Sequence, residues 1–147
     1  MTRSVRTWGN CHLKHMELLF RLQKRAVRLC SGSHYLAHTD PIFKHFRLLK
    51  VLDINILQTA VFMFKLKQNL LPTYFNSMFT CNRQVHSYNT RISHNFHLRN
   101  PKTTLSSRSI RHKGPDIWHS LSSEVKQCTL LSSFKKKLKN HLITLYE

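Results

Sequence analysis

The stretch LDINILQTAVFMFKLKQN, residues 52–69, constrains the fold most. Ile54, Leu57, Val61 and Phe64 recur every three or four positions, which is helical spacing. Ile56, Ala60 and Met63 fill the other side, so the helix is apolar nearly all round. Other elements must enclose such a helix. The expectation is a central core helix with Asp53 as its N-cap.

The flanking segments supply enclosing elements. Over residues 12–31, Leu13, Met16, Phe20, Val27 and Cys30 form a helical stripe that Leu19 and Ala26 widen. Lys14, Arg21, Lys24, Arg25 and Arg28 fall mostly opposite it, and Gly32 is a stop signal. Asp40 and Pro41 read as an N-cap and first helical residue, opening a short helix over 41–47. Pro72 opens another in PTYFNSMF. A final helix from Ser132 or Ser133 places Phe134, Leu138, Leu142 and Leu145 on one side, and Lys135, Lys136, Lys137 and Lys139 largely elsewhere.

Residues 80–113 lack a helical period and are rich in Asn, Ser, Thr, Arg and His. They predict loops with short extended pieces at VHSYNTR, NFHLR and SIRHK, which could pair as a short β-hairpin. In RSIRHKGPDIWHSL, Gly114 reads as a tight turn and Pro115 as the first residue of a new helix. Ile117, Trp118 and Leu121 would share that helix's buried face. The fold class is therefore mainly α, in a small single domain over 1–147. Its parts are an N-terminal stub 1–10, a helical part 11–79, a basic extended segment 80–113 and C-terminal helices 114–147.

Charge is the strongest signal of function. Lys and Arg number 24 against 6 Asp and Glu, a formal net charge of +18 over 147 residues. Repulsion on that scale opposes compaction unless an anion is bound, and nucleic acid is the usual one. No acidic residue occurs between Asp53 and Asp116, whereas ordinary surfaces mix both signs.

The same scarcity argues against several chemistries. The acids are Glu17, Asp40, Asp53, Asp116, Glu124 and Glu147, and no two are close in sequence. That disfavours two-metal polymerase or nuclease sites and paired-carboxylate glycosidases. Gly-rich phosphate loops and a GxSxG elbow are missing. The expectation is no catalysis, no cofactor and no metal.

Cys30, His34 and His38 have helical spacing, but Gly32 and Ser33 interrupt it. Cys81 or His86 with His94 and His97 matches no zinc module. Cys128 with His119 or His141 lacks an orienting third group and reads as a buried thiol. Scattered cysteines and a polar, basic N-terminus predict an intracellular protein, nuclear or cytoplasmic and not secreted. No transmembrane run is present, and a membrane is not an expected partner.

The order of motifs WGN, LQKRAVR, TDPIF, LLKVLDI, NLLPTYFNSMF, HSYNTR, RSIRHKGPDIWHSL and SFKKKLKNHL, from about Trp8 to Leu142, carries a resemblance. It resembles the segment downstream of the polymerase domain in LINE-type (non-LTR) retrotransposon reverse transcriptases of animals. HSYNTR followed by RSIR-x-GP-x-x-W is its most specific part. The resemblance implies descent from an RNA-directed DNA polymerase. Neither the family's palm aspartate pair nor its endonuclease is present, so no polymerase residue carries over. It implies the C-terminal tail alone, as a truncated element copy or a reading frame begun at an internal Met1.

The functional expectation is a non-catalytic basic module that binds RNA or DNA through phosphate contacts. Arg91, Arg108, Arg111, Lys113, Lys135, Lys136 and Lys139 are the binding residues, and Tyr88 is a base-stacking candidate. On an extended strand Arg111 and Lys113 would share a face. The alternatives are a packing domain that braces the rest of a reverse transcriptase, and a non-functional relic.

Overall fold

The computed structural model describes residues 10–85 and 93–146, with Leu13 described by its backbone alone. The chain is mainly α. In order come α1 (Leu13–Cys30), α2 (Asp40–His45), α3 (Val51–Lys67), a 3-10 helix (Thr73–Met78) and α4 (Asn82–Val85). Then follow α5 (Thr104–Arg108), α6 (Ile110–Ser120), α7 (Ser123–Lys126) and α8 (Leu131–Thr144). Among the described residues no helix is long and apolar enough to cross a membrane. Backbone contacts divide the chain into two compact units, one of residues 1–58 with 132–147 and one of residues 59–131.

In the first unit α1 ends as its sequence requires. Gly32 adopts φ +65°, and the Ser33 N–H reaches back to the Arg28 carbonyl at 3.1 Å. The buried residues include Met16, Val27, Phe43, Leu138 and Tyr146. Phe20 stacks on Phe43 at 6.3 Å, and Phe43 meets Tyr146 edge-on at 6.4 Å. α2 begins at Asp40 with Thr39 as N-cap, one residue before the expected cap.

α3 begins two residues before its expected cap. Its leading N–H groups, which have no partner within the helix, are met from elsewhere. The Val51 N–H donates to Gln23 Oε1 at 2.8 Å, and the Lys50 N–H to the Tyr146 hydroxyl at 3.0 Å. Asp53 therefore sits inside the first turn and accepts from Tyr146. Along α8 and the two residues that follow it, Phe134, Leu138 and Leu142 are buried as expected, but Leu145 is exposed and Ile143 and Tyr146 are buried instead.

In the second unit the C-terminal half of α3 is enclosed, with Ala60, Val61, Met63, Phe64 and Leu66 all buried. A run of aromatic contacts leads from α3 to α6: Phe62 to Phe79 at 6.1 Å, Phe79 to Phe96 at 6.0 Å, and Phe96 to Trp118 at 6.1 Å.

Part of the basic segment departs from its expected extended form; residues 86–91 of VHSYNTR lie outside the described residues, and NFHLR is not helical. Its one described bridge, Cys81 to Phe96, is isolated. Residues 104–108 and 110–113 are helical, so SIRHK is not a strand. Gly114 and Pro115 do not form a turn; they lie inside α6, which starts at Ile110 behind Ser109. The reason is packing. A Cβ on Gly114 would stand 2.6 Å from Met63 Sδ, so the glycine lets α6 approach α3 closely. Pro115 removes one helical donor, a disruption that costs about 3 kcal/mol in a helix interior, and it is buried where it does so. Trp118, 1% exposed, is core as expected.

Candidate nucleic-acid interface

α8 derives its cationic face from its period. With Phe134 and Leu138 fully buried, Lys135, Lys136, Lys137 and Lys139 are left exposed. Lys135 and Lys139 stand one helical turn apart, where like charges are destabilising by a few tenths of a kcal/mol per pair. A bound anion relieves that repulsion.

The other expected contacts are placed differently. Arg108 ends α5 and is half-buried, while Arg111 and Lys113 belong to α6. Positions two apart on a helix do not face one another, so Arg111 and Lys113 do not share the face that a strand would give them. Arg111 is exposed, and its Nε donates to the Met78 carbonyl at 3.2 Å. Tyr88 and Arg91 lie outside the described residues.

Two of the scarce acids are committed within the first unit. Asp40 pairs with Lys50 Nζ at 2.8 Å, and Lys50 lies over the Tyr146 ring at 4.2 Å. Asp53 holds the Tyr146 hydroxyl. Burial, and then this hydrogen bond, push the Tyr146 phenol well above its ordinary range.

Several histidines fasten the second unit. His112 joins Ser106 Oγ at 2.9 Å and the Arg99 carbonyl at 3.0 Å. His119 donates to the Phe96 carbonyl at 2.9 Å. Among the described residues, no three His, Cys, Asp or Glu side chains gather as metal ligands would. Cys30 is exposed, His34 lies against Tyr35 at 4.7 Å, and Cys128 is buried with its thiol on the Glu124 carbonyl.

Sequence reasoning missed a pair of lysines in the second unit. Lys126 Nζ donates to the His119 carbonyl at 3.0 Å, and Lys67 Nζ lies 5.5 Å from the centre of the Trp118 ring. Burial, and then the charge of Lys67, lower the Lys126 pKa. The two stand far apart in sequence, on different helices, and no local motif marks them.

No protein-family model matches the chain, and no curated protein or solved structure matches it.

Proposed function

We propose that the chain is the C-terminal region of a LINE-type retrotransposon reverse transcriptase, acting without catalysis as a basic module that binds RNA or DNA. The motif order from Trp8 to Leu142 supports the family origin. One observation carries the binding role: α8 buries its apolar face and leaves four lysines exposed. Contact is to phosphates, so binding tolerates sequence variation and falls steeply with salt. The module works inside the cell, in nucleus or cytoplasm, beside the rest of the reverse transcriptase.

The test is binding of the purified chain to single-stranded RNA and duplex DNA across a salt series. Each phosphate contact should contribute a slope of about 0.7 to 0.9 in log K against log salt. A flat response contradicts the proposal.

A second reading, as a packing domain of the polymerase, is favoured by α1. Leu18, Leu22 and Leu29 are 59%, 56% and 75% exposed on that helix. A face of that kind marks an interaction surface. This reading requires the isolated chain to self-associate and the polymerase domain to suppress that association.

A further inference from the structure

The second unit holds a half-open cavity of about 280 Å³ that the phosphate-binding role does not use. Its floor is apolar and buried, made of Leu66, Phe79 and Phe96. Its rim is polar, with Asn69, Asn76, Gln84 and His94 exposed. Lys67, exposed at the end of α3, lines the same cavity.

We infer that this cavity is a subsite for one unstacked nucleotide, with the base on the apolar floor, the carboxamides at its edge and the phosphate at Lys67. The inference rests on the nucleic-acid-binding reading and adds to it a place where a base is read.

The chemistry of the lining selects this occupant. Carboxamides offer donors and acceptors together, which suits a base edge carrying both. Gln84 Oε1 accepts from the Cys81 N–H at 2.9 Å, which fixes the side chain and turns its NH₂ end into the donor. Asn69, with φ +54°, closes the end of α3 and holds its own amide at the rim. An inorganic anion has no use for an apolar floor, and an acyl chain has none for three carboxamides.

Lys67 forms no ion pair with a described carboxylate. A phosphate there would supply the Lys67 ammonium with a counter-ion. The volume lies near the small end of ligand pockets, roughly 300 to 1,000 Å³, which suits one nucleotide. Single strands present such units, because their bases can splay out and be read on their edges.

The test uses the full chain labelled with ¹⁵N, titrated with AMP and UMP and, separately, with ribose 5-phosphate. The nucleotides should shift the side-chain NH₂ signals of Asn76 and Gln84, and ribose 5-phosphate should leave them in place. Asn76→Ala, at an exposed position on the 3-10 helix, should weaken nucleotide binding about tenfold, the equivalent of about 1.4 kcal/mol. Lys67→Ala should weaken AMP and UMP but leave uridine, which lacks the phosphate, unchanged. Equal shifts from AMP and ribose 5-phosphate, or none at Asn76 and Gln84, overturn the subsite and leave salt-dependent binding of long strands standing. Shifts at these amides without binding of long strands support the subsite and contradict the module.

Discussion

The Tyr146 hydroxyl donates to Asp53 Oδ2 at 2.5 Å, joining residues 93 positions apart. The same oxygen accepts the Lys50 N–H, and Lys44 Nζ donates to the Tyr146 carbonyl at 3.1 Å. One side chain near the end of α8 thus satisfies a carboxylate and a helix-start N–H of α3. Tyr146→Phe keeps the ring contact with Phe43 and removes only the hydroxyl. It should destabilise the fold by about 1–3 kcal/mol, the cost of leaving partly buried polar groups unmet, as read by urea denaturation.

The same group sets an alkaline limit. In the folded chain the phenol titrates well above its unfolded value of 10.0. Its contribution to stability is therefore complete below pH 10 and is lost as pH rises from there through the folded value, because the unfolded chain releases the proton first. Urea midpoints should fall above pH 10 in the native chain and fall less in Tyr146→Phe. Parallel decline in both would remove Tyr146 as the cause.

Gln23 clamps the start of α3 from α1. Its Nε2 donates to the Leu49 carbonyl and its Oε1 accepts from the Val51 N–H, both at 2.8 Å. Gln23→Ala leaves both backbone groups without these partners. The expected loss is about 1–3 kcal/mol, and amide exchange at Val51 should accelerate ahead of exchange at Phe64.

Gly114→Ala sets two effects in opposition. Helix propensity favours alanine by about 1 kcal/mol. The new Cβ would lie 2.6 Å from Met63 Sδ, and Met63 is fully buried. Overpacking costs about 1–3 kcal/mol, so the net change should be destabilising. In a Met63→Ala background the penalty should shrink or reverse, which a double-mutant cycle reads directly.

Apolar period made most of the helical fold legible in advance. It marked the helix observed at Val51–Lys67, the buried Trp118 and the two faces of α8. It did not mark the helices over 104–113, because polar bonds rather than an apolar stripe hold them. Thr103 Oγ1 caps α5 through the Ser106 N–H at 3.1 Å, and His112 ties Ser106 to Arg99. Nor could Gly114 be told from a turn glycine without knowing that Met63 lies against it. Of the proposed interface, the α8 lysines were visible as a run. The Lys67 and Lys126 pair was not, since it depends on two helices meeting in space.

The central claim, that exposed cations bind nucleic-acid phosphates, is tested most directly by comparing salt slopes. The native chain and a Lys135→Ala, Lys136→Ala, Lys139→Ala variant should be titrated with the same single-stranded RNA. These lysines are exposed, so the fold should be retained and the slope should fall by about two to three contacts, or roughly 1.4 to 2.1 units in log K per log salt. An unchanged slope in a folded variant would contradict the assignment of phosphate contacts to α8. A native slope near zero would contradict the account as a whole.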